Sequence, residues 1–147
     1  MKKVLLVKVL FVSVLAALAG CDTLVTREEM AAVDYGPKPA RWREQIQSYL
    51  DIRLANPKEA VVEYRSGEPK QLFQRQTALR QRQYGWATCV WVNDKNREGK
   101  FEGFYPITFF IRDEKIVAVN NGPDDFGIVG SRYAREQCEL LGARFTG

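Results

Sequence analysis

The sequence contains no histidine, only three cysteines, and almost no net charge once its first 20 residues are set aside. Histidine is the commonest metal ligand and the usual general base near neutral pH. Its absence excludes most zinc sites and most catalytic triads. We therefore expect no cofactor, no metal site and no catalytic residue.

The charge balance argues against a nucleic-acid partner. The formal net charge of +4 includes Lys2, Lys3 and Lys8, and without these three the chain carries 19 basic and 18 acidic residues. Nucleic-acid binding needs a concentrated positive surface. We expect no nucleic-acid partner, and composition does not identify a small-molecule ligand.

The first 20 residues have the features of a secretory signal. Lys2 and Lys3 form a short positive region, and the run from Val9 to Ala19 is apolar except for Ser13. A transmembrane helix needs roughly 20 apolar residues. The apolar run here is shorter and begins just after Lys8, which disfavours a permanent membrane span.

The four residues Leu18-Ala19-Gly20-Cys21 resemble the lipobox of bacterial lipoproteins. The resemblance implies that residues 1–20 are removed and that Cys21 is lipidated. Lipid would then hold the chain at the periplasmic face of a cell membrane. Asp22 resembles the inner-membrane retention signal of enteric lipoproteins, with the outer membrane as the alternative. An ordinary secretory signal beside a coincidental cysteine is the competing interpretation.

The other two cysteines, Cys89 and Cys138, form an even remainder once Cys21 is assigned to lipid. Disulfides persist outside the cytoplasm, so we expect these two to be bonded. A catalytic thiol and two buried free thiols are the alternatives. Neither cysteine has a histidine to activate it, which favours the disulfide.

Composition divides the chain into a signal, a tether and one domain. Residues 21–40 contain Gly36, Pro37 and Pro39 and no sustained apolar stripe, which predicts a flexible tether with a short helix near residues 28–33. Residues 41–147 are enough for a single periplasmic domain.

Hydrophobic periodicity predicts an α+β domain. A helix is expected over residues 41–54, and a second helix is expected to begin at Ser131 as N-cap and to end at Gly142. We predict an antiparallel meander sheet of about four strands, flanked by these N-terminal and C-terminal helices. Residues 70–83 fit a strand, a short helix or a loop. The predicted strands cover residues 60–65, 84–93, 103–112 and 115–120.

A second resemblance rests on Tyr84-Gly85-Trp86, Val90-Trp91-Val92-Asn93, Lys95-Asn96, Gly99 and Gly103. This pattern is similar to that of a family of small exported bacterial proteins of uncharacterised function and covers residues 41–120. The chain departs from it at residues 97–101, where that family has a Tyr-Gly-Gly-like turn. The resemblance implies a fold and carries no catalytic residue.

Aromatic residues fall on both faces of the predicted sheet, and two helices cover one face well. Trp86, Phe104 and Phe110 are therefore candidates for an open interaction face, with core packing as the alternative. Residues 66–83 carry a net charge of +3. They fit either a solvated surface or a site for anionic phospholipid headgroups.

Polar turns supply two weaker candidate sites. Asp113, Glu114, Asp124 and Asp125 fit paired carboxylates for acid-base work or calcium binding, although no calcium-loop spacing is present. Turns also favour aspartate for local hydrogen bonding. The asparagines at positions 93, 96, 120 and 121 fall at strand ends and are candidates for a polar-ligand site on one rim of the sheet. Solvated turns are the favoured interpretation of both sets.

These observations predict a lipid-anchored, non-catalytic binding module at the cell envelope, with the membrane and an envelope protein as partners. The alternatives are a carboxylate-dependent envelope hydrolase and a phage or plasmid exclusion lipoprotein.

Overall fold

A computed structural model of the chain describes residues 25–78, 80–124 and 128–144. Within these residues the chain forms three α-helices and a short 3₁₀ turn, Pro57–Glu59. The predicted helix over residues 41–54 is observed within one residue at each end. The helices are α1, Arg27–Ala31; α2, Trp42–Arg53; and α3, Ile128–Leu140.

Five antiparallel strands form one sheet in the order β1-β3-β4-β5, with β2 also paired to β3. The α+β class and the antiparallel sheet are confirmed, although the sheet has five strands where about four were predicted. The extra strand comes from the segment whose structure the sequence left open. The strands are β1, Val61–Glu63; β2, Lys70–Gln74; β3, Gln83–Asn93; β4, Tyr105–Arg112; and β5, Lys115–Asn120.

One edge of the central strand β3 is shared by two short strands. β1 pairs with residues 91–93 and β2 with residues 83–87, so residues 88–90 have no strand partner on this side. The Ser66 hydroxyl fills part of this gap by accepting a 2.8 Å hydrogen bond from the Cys89 amide. Thr88 Oγ1 donates to the Gly67 carbonyl oxygen at 3.1 Å. Side-chain hydrogen bonds thus satisfy buried backbone where the ladder is interrupted.

Two hydrophobic clusters pack against the sheet. Because successive residues of a strand point to opposite faces, Cys89 and Val90 belong to different clusters. The α2 cluster comprises Trp42, Ile46, Leu50, Leu54, Val90, Val92, Ile107, Phe109 and Ile111. The α3 cluster comprises Ala87, Cys89, Phe110, Cys138, Leu141 and Ala143.

The described part of the predicted tether packs against the domain from residue 29 onward. Tyr35 and Pro39 are buried, and the indole Nε1 of Trp86 donates to the Gly36 carbonyl oxygen at 3.0 Å. The Tyr35 ring meets the Tyr84 ring edge-on. Within the predicted tether, Tyr35 and Gly36 therefore contact the domain, and the division of the chain into tether and domain stays a prediction.

Ser131 is not the N-cap of the last helix. α3 begins at Ile128, which places Ser131 inside its first turn. The prediction relied on the preference of serine for caps, whereas the residues just before the helix, 125–127, lie outside the described part of the chain. Gly142 does follow the helix with a positive φ of 89°, the conformation in which glycine ends helices.

Candidate functional site

Cys89 and Cys138 form a disulfide that joins β3 to α3, with Cα atoms 5.1 Å apart. This pairing confirms the prediction. Both cysteines are fully buried, and the Thr108 hydroxyl lies 3.7 Å from the Cys138 sulfur. The bond is therefore a structural link in the core. Cys21, the predicted lipidation site, lies outside the described residues.

The three residues predicted to form an interaction face do not share a surface. Phe110 is fully buried beside Cys138 and Leu141, so its assignment to an open face is wrong. Small residues opposite and beside it, including Ala87, leave room for α3 to cover its ring. Trp86 lies on the other face of the sheet, and its indole is hydrogen-bonded to the Gly36 carbonyl oxygen. Phe104 is 37% exposed, at the β3–β4 hairpin.

The described carboxylates do not converge. Glu114 accepts hydrogen bonds from the Ala40 amide at 2.6 Å and from Gln45 Nε2 at 2.7 Å, which holds the start of α2. Asp124 pairs with Arg53 at the other end of that helix. Gln45 and Arg53 are separated by about 12 Å of helix. Paired acid-base carboxylates of the predicted kind are therefore not assembled by Glu114 and Asp124, and Asp125 is outside the described residues.

Asp113 and Glu114 instead make the two-residue turn between β4 and β5. Both have positive φ values, 51° and 56°, as the tight hairpin turn with right-handed twist requires. Within the described part of the chain, no group of three or more cysteine, aspartate and glutamate side chains could hold a metal ion.

The four asparagines also serve the fold. Asn93 Oδ1 accepts from the Gly103 amide at 3.2 Å, and Asn121 Nδ2 donates to the Pro106 carbonyl oxygen at 2.8 Å. Asn96 Oδ1 accepts hydrogen bonds from two backbone amides within the β3–β4 hairpin. These three side chains bond to backbone groups, and Asn120 bonds to other side chains, so the four do not form a common ligand rim.

Asn120 belongs to an amide cluster, which we define as Gln74, Gln83, Asn120 and Gln137. Asn120 Nδ2 donates to Gln83 Oε1 and Gln137 Oε1, each at 2.8 Å. Gln137 Nε2 donates in turn to Gln74 Oε1. Asn120 and Gln137 are buried. The cluster ties β2, β3 and β5 to α3 and meets the requirement that buried polar groups be paired.

A shallow groove of about 430 Å³ lies between the start of α2 and the β4–β5 turn. The buried Oε1 of Gln45 has no hydrogen-bond partner among the described residues. A water molecule satisfies such an acceptor in an open groove, so the groove alone does not define a ligand. Its lining residues are Arg41, Glu44, Gln45, Ser48, Glu114, Lys115 and Ile116.

The basic segment 66–83 is largely engaged with the rest of the protein. Lys70 Nζ donates to the Leu141 carbonyl oxygen at 2.6 Å. Arg80 Nη1 donates to Asn120 Oδ1 at 3.2 Å, and its guanidinium lies over the Tyr133 ring. Arg75 forms a bidentate pair with Glu29 of α1. The +3 segment is therefore not a uniformly solvated charged surface.

The Glu29–Arg75 pair fixes where the chain enters the domain. Arg75 Nε donates to Glu29 Oε1 at 2.7 Å, and Thr26 and Glu29 form a reciprocal capping box at the start of α1. Hydrogen bonding to Arg75, aided by the Thr26 amide, lowers the pKa of Glu29 to about 2. The pair holds α1 beside the β2–β3 loop.

At this same end of the sheet, two arginines share one tyrosine ring. The guanidinium carbons of Arg112 and Arg82 lie 4.3 Å and 5.3 Å from the centre of the Tyr84 ring. In the described part of the chain neither arginine has a carboxylate partner within ion-pair distance. We call Arg82, Tyr84 and Arg112 the arginine pair site.

The β3–β4 hairpin at the opposite end presents a different surface. Phe101 is 49% exposed with Lys95 over its ring. The Arg65 guanidinium lies 4.2 Å from the Trp91 ring centre and 5.6 Å from that of Phe104. β3 has 11 residues, so about 33 Å separates the two ends at a rise of about 3.3 Å per residue.

No family model, curated protein or solved structure matches the chain. None of the helices in the described ranges is both long enough and apolar enough to cross a bilayer. The assignment of a function therefore depends on the sequence and the geometry above.

The sequence indicated the basic segment as a candidate site but gave neither Tyr84 nor Arg112 a role in binding. Arg82 and Tyr84 stand two residues apart, which places them on one side of an extended chain, so half of the arginine pair site was readable. Arg112 lies on β4, and its approach to Tyr84 depends on the register between β3 and β4. Register between distant segments is not encoded in local spacing.

Proposed function

We propose that the chain is a lipid-anchored periplasmic module that acts by binding at the cell envelope and not by catalysis. The lipobox ending at Cys21 supports lipidation, and Asp22 favours the inner membrane with the outer membrane as the alternative. The cell membrane is the first partner, through the lipid, and an envelope protein is the second. In this architecture α2 and α3 flank the sheet, as the two hydrophobic clusters support.

The Glu29–Arg75 pair is the observation that carries the proposal. It ties α1 to the domain only a few residues after the lipobox cysteine. Five residue steps from Cys21 to Thr26 span at most about 18 Å whatever their conformation. A domain held so close to its lipid suits contact with the membrane surface or with a membrane partner.

The proposal also takes account of the carboxylates. Glu114 holds the start of α2, and Asp124 pairs with Arg53. These assigned roles weigh against the hydrolase alternative, which needs the same groups together in a concave site.

Fractionation of cells tests the anchor. Two or more acyl chains hold a protein stably on a bilayer, since each buried methylene contributes about 0.8 kcal/mol. The wild-type chain should remain in the membrane pellet after a high-salt wash and leave it in detergent. The Cys21→Ser variant should leave the pellet or keep its signal uncleaved. A wild-type chain that washes off in salt would contradict the proposal.

Crosslinking in intact membranes tests the binding role. The wild-type chain should give a discrete higher-mass adduct with an envelope protein. Isolated monomers after crosslinking and detergent extraction would contradict a protein partner and leave lipid as the partner.

A further inference from the structure

We infer that the β2–β3 end of the domain faces the bilayer and that Arg82 and Arg112 bind the phosphate groups of anionic phospholipids there. This inference rests on the proposed lipid anchor. It goes further by naming the membrane-facing end, the residues involved and the lipid chemistry that they recognise.

The first step is the position of the chain entry. Glu29 is held by Arg75, and Tyr35 contacts Tyr84, which is part of the arginine pair site. The segment that leads from the lipidated cysteine therefore reaches the domain at the β2–β3 end. The β3–β4 hairpin, about 33 Å further along β3, is the distant end.

The second step is the state of the two arginines. Both guanidinium groups lie on one tyrosine ring, and neither has a carboxylate partner within ion-pair distance in the described ranges. A guanidinium that rests on an aromatic face keeps its planar N–H donors available. Each of the two groups can bind the oxygens of a phosphate in bidentate fashion, and their contact with the same ring places both at this end of the sheet.

The third step compares lipid with the other anions available. The β2–β3 end also carries Asp34 and Asp113, both exposed, and these carboxylates oppose the long-range capture of a soluble polyanion. A short lipid anchor removes the need for capture, because it already holds the end near a dense layer of phosphates. Proximity favours headgroups over free phosphate and over an acidic protein.

Hydrogen exchange on the full lipidated chain in nanodiscs tests the inference. In phosphatidylglycerol discs, amides of residues 76–78 and 80–84 should exchange roughly five-fold more slowly than in phosphatidylcholine discs. Amides of the β3–β4 hairpin should be unchanged. Protection of the hairpin, or of neither end, would overturn the inference.

Matched variants separate the arginines from general charge. The double variant Arg82→Gln/Arg112→Gln should lose the lipid-dependent protection. The control Arg97→Gln/Lys100→Gln makes the same change in charge on the exposed hairpin. This variant should keep the lipid-dependent protection. If the first variant does not fold, 0.5 M salt on the wild type replaces it, since screening should abolish the protection.

Three other results of the exchange experiment would contradict parts of the inference. Equal protection on both lipids would overturn the role of the arginines. Protection by inorganic phosphate in phosphatidylcholine discs would overturn lipid as the ligand, and protection only after adding envelope proteins would overturn it in favour of a protein. Absence of lipid on Cys21 would contradict the proposed function itself. A lipidated chain whose β2–β3 amides are not protected would contradict only this inference.

Discussion

The two hydrophobic clusters are stabilised by different means. The α2 cluster has nine fully or nearly buried members, among them Ile46, Leu50 and Phe109, and packs by apolar contact. The α3 cluster has six, including two cysteines, and adds a disulfide and the amide cluster. A smaller apolar contact is thus supplemented by a covalent bond.

Loss of the disulfide should have the largest effect. The bond closes 49 residues of sequence, and the chain-entropy model assigns it about 4 kcal/mol. The Cys89→Ala/Cys138→Ala variant should lose that much unfolding free energy in urea. A loss below about 1 kcal/mol would show that apolar packing alone holds the α3 cluster. The single variant Cys138→Ala is unsuitable as a control because it leaves a free thiol.

Truncation in the α2 cluster should have the next largest effect. Leu50 is fully buried, and Leu→Ala in a core costs about 2 to 5 kcal/mol. Leu50→Ala should lower stability equally under oxidising and reducing conditions, as measured by urea unfolding. Ile52→Ala on the exposed side of the same helix is the matched control. A redox-dependent effect of Leu50→Ala would show that the clusters do not act separately.

Removal of one side-chain amide from the amide cluster should lower the unfolding free energy by less than the two changes above. Asn120→Ala leaves Gln83 and Gln137 without a shared partner, and each unsatisfied buried group costs about 1 to 3 kcal/mol. Stability should fall, and amides of α3 should exchange faster while those of α2 do not. Asn120→Asp should lower stability as well, because a carboxylate oxygen cannot donate to Gln83 and Gln137. Unchanged amide exchange in α3 would mean that the disulfide alone positions the helix.

The smallest effect should come from Glu29. Its pKa lies below the ordinary value of 4.5, at about 2, so its contribution is present above pH 4.5 and is lost as the pH falls towards 2. The protection of the α1 amides, relative to their intrinsic exchange rate at each pH, should fall over that window in the wild type. Glu29→Gln should show the reduced protection already at pH 7, and Glu28→Gln should not. Protection of the α1 amides that does not change with pH would contradict a stabilising role for the ion pair.

The elements with clear periodicity were readable from the sequence. Trp42, Ile46 and Leu50 recur at helical spacing, and all three are buried in the α2 cluster. The link between Cys89 and Cys138 was predicted from the even number of cysteines that remain after Cys21 is assigned to lipid. These features are local, so the sequence carries them directly.

Features that depend on distant contacts were not readable. In β2 only Phe73 is buried, so Lys70–Gln74 lacks the alternation that marks a strand. Phe110 was assigned to an open face because the two helices were expected to cover one face of the sheet, whereas they pack on opposite faces. Tyr35 becomes buried by meeting Tyr84, and no spacing rule links those two residues.

The intact mass of the chain extracted from membranes, alkylated without reduction, tests the central claim most directly. The account predicts a chain that begins at Cys21, carries the added mass of lipid and takes up no alkylating group, since Cys89 and Cys138 are bonded. A chain that retains residues 1–20, or one that begins elsewhere with an alkylated Cys21 thiol, would contradict it.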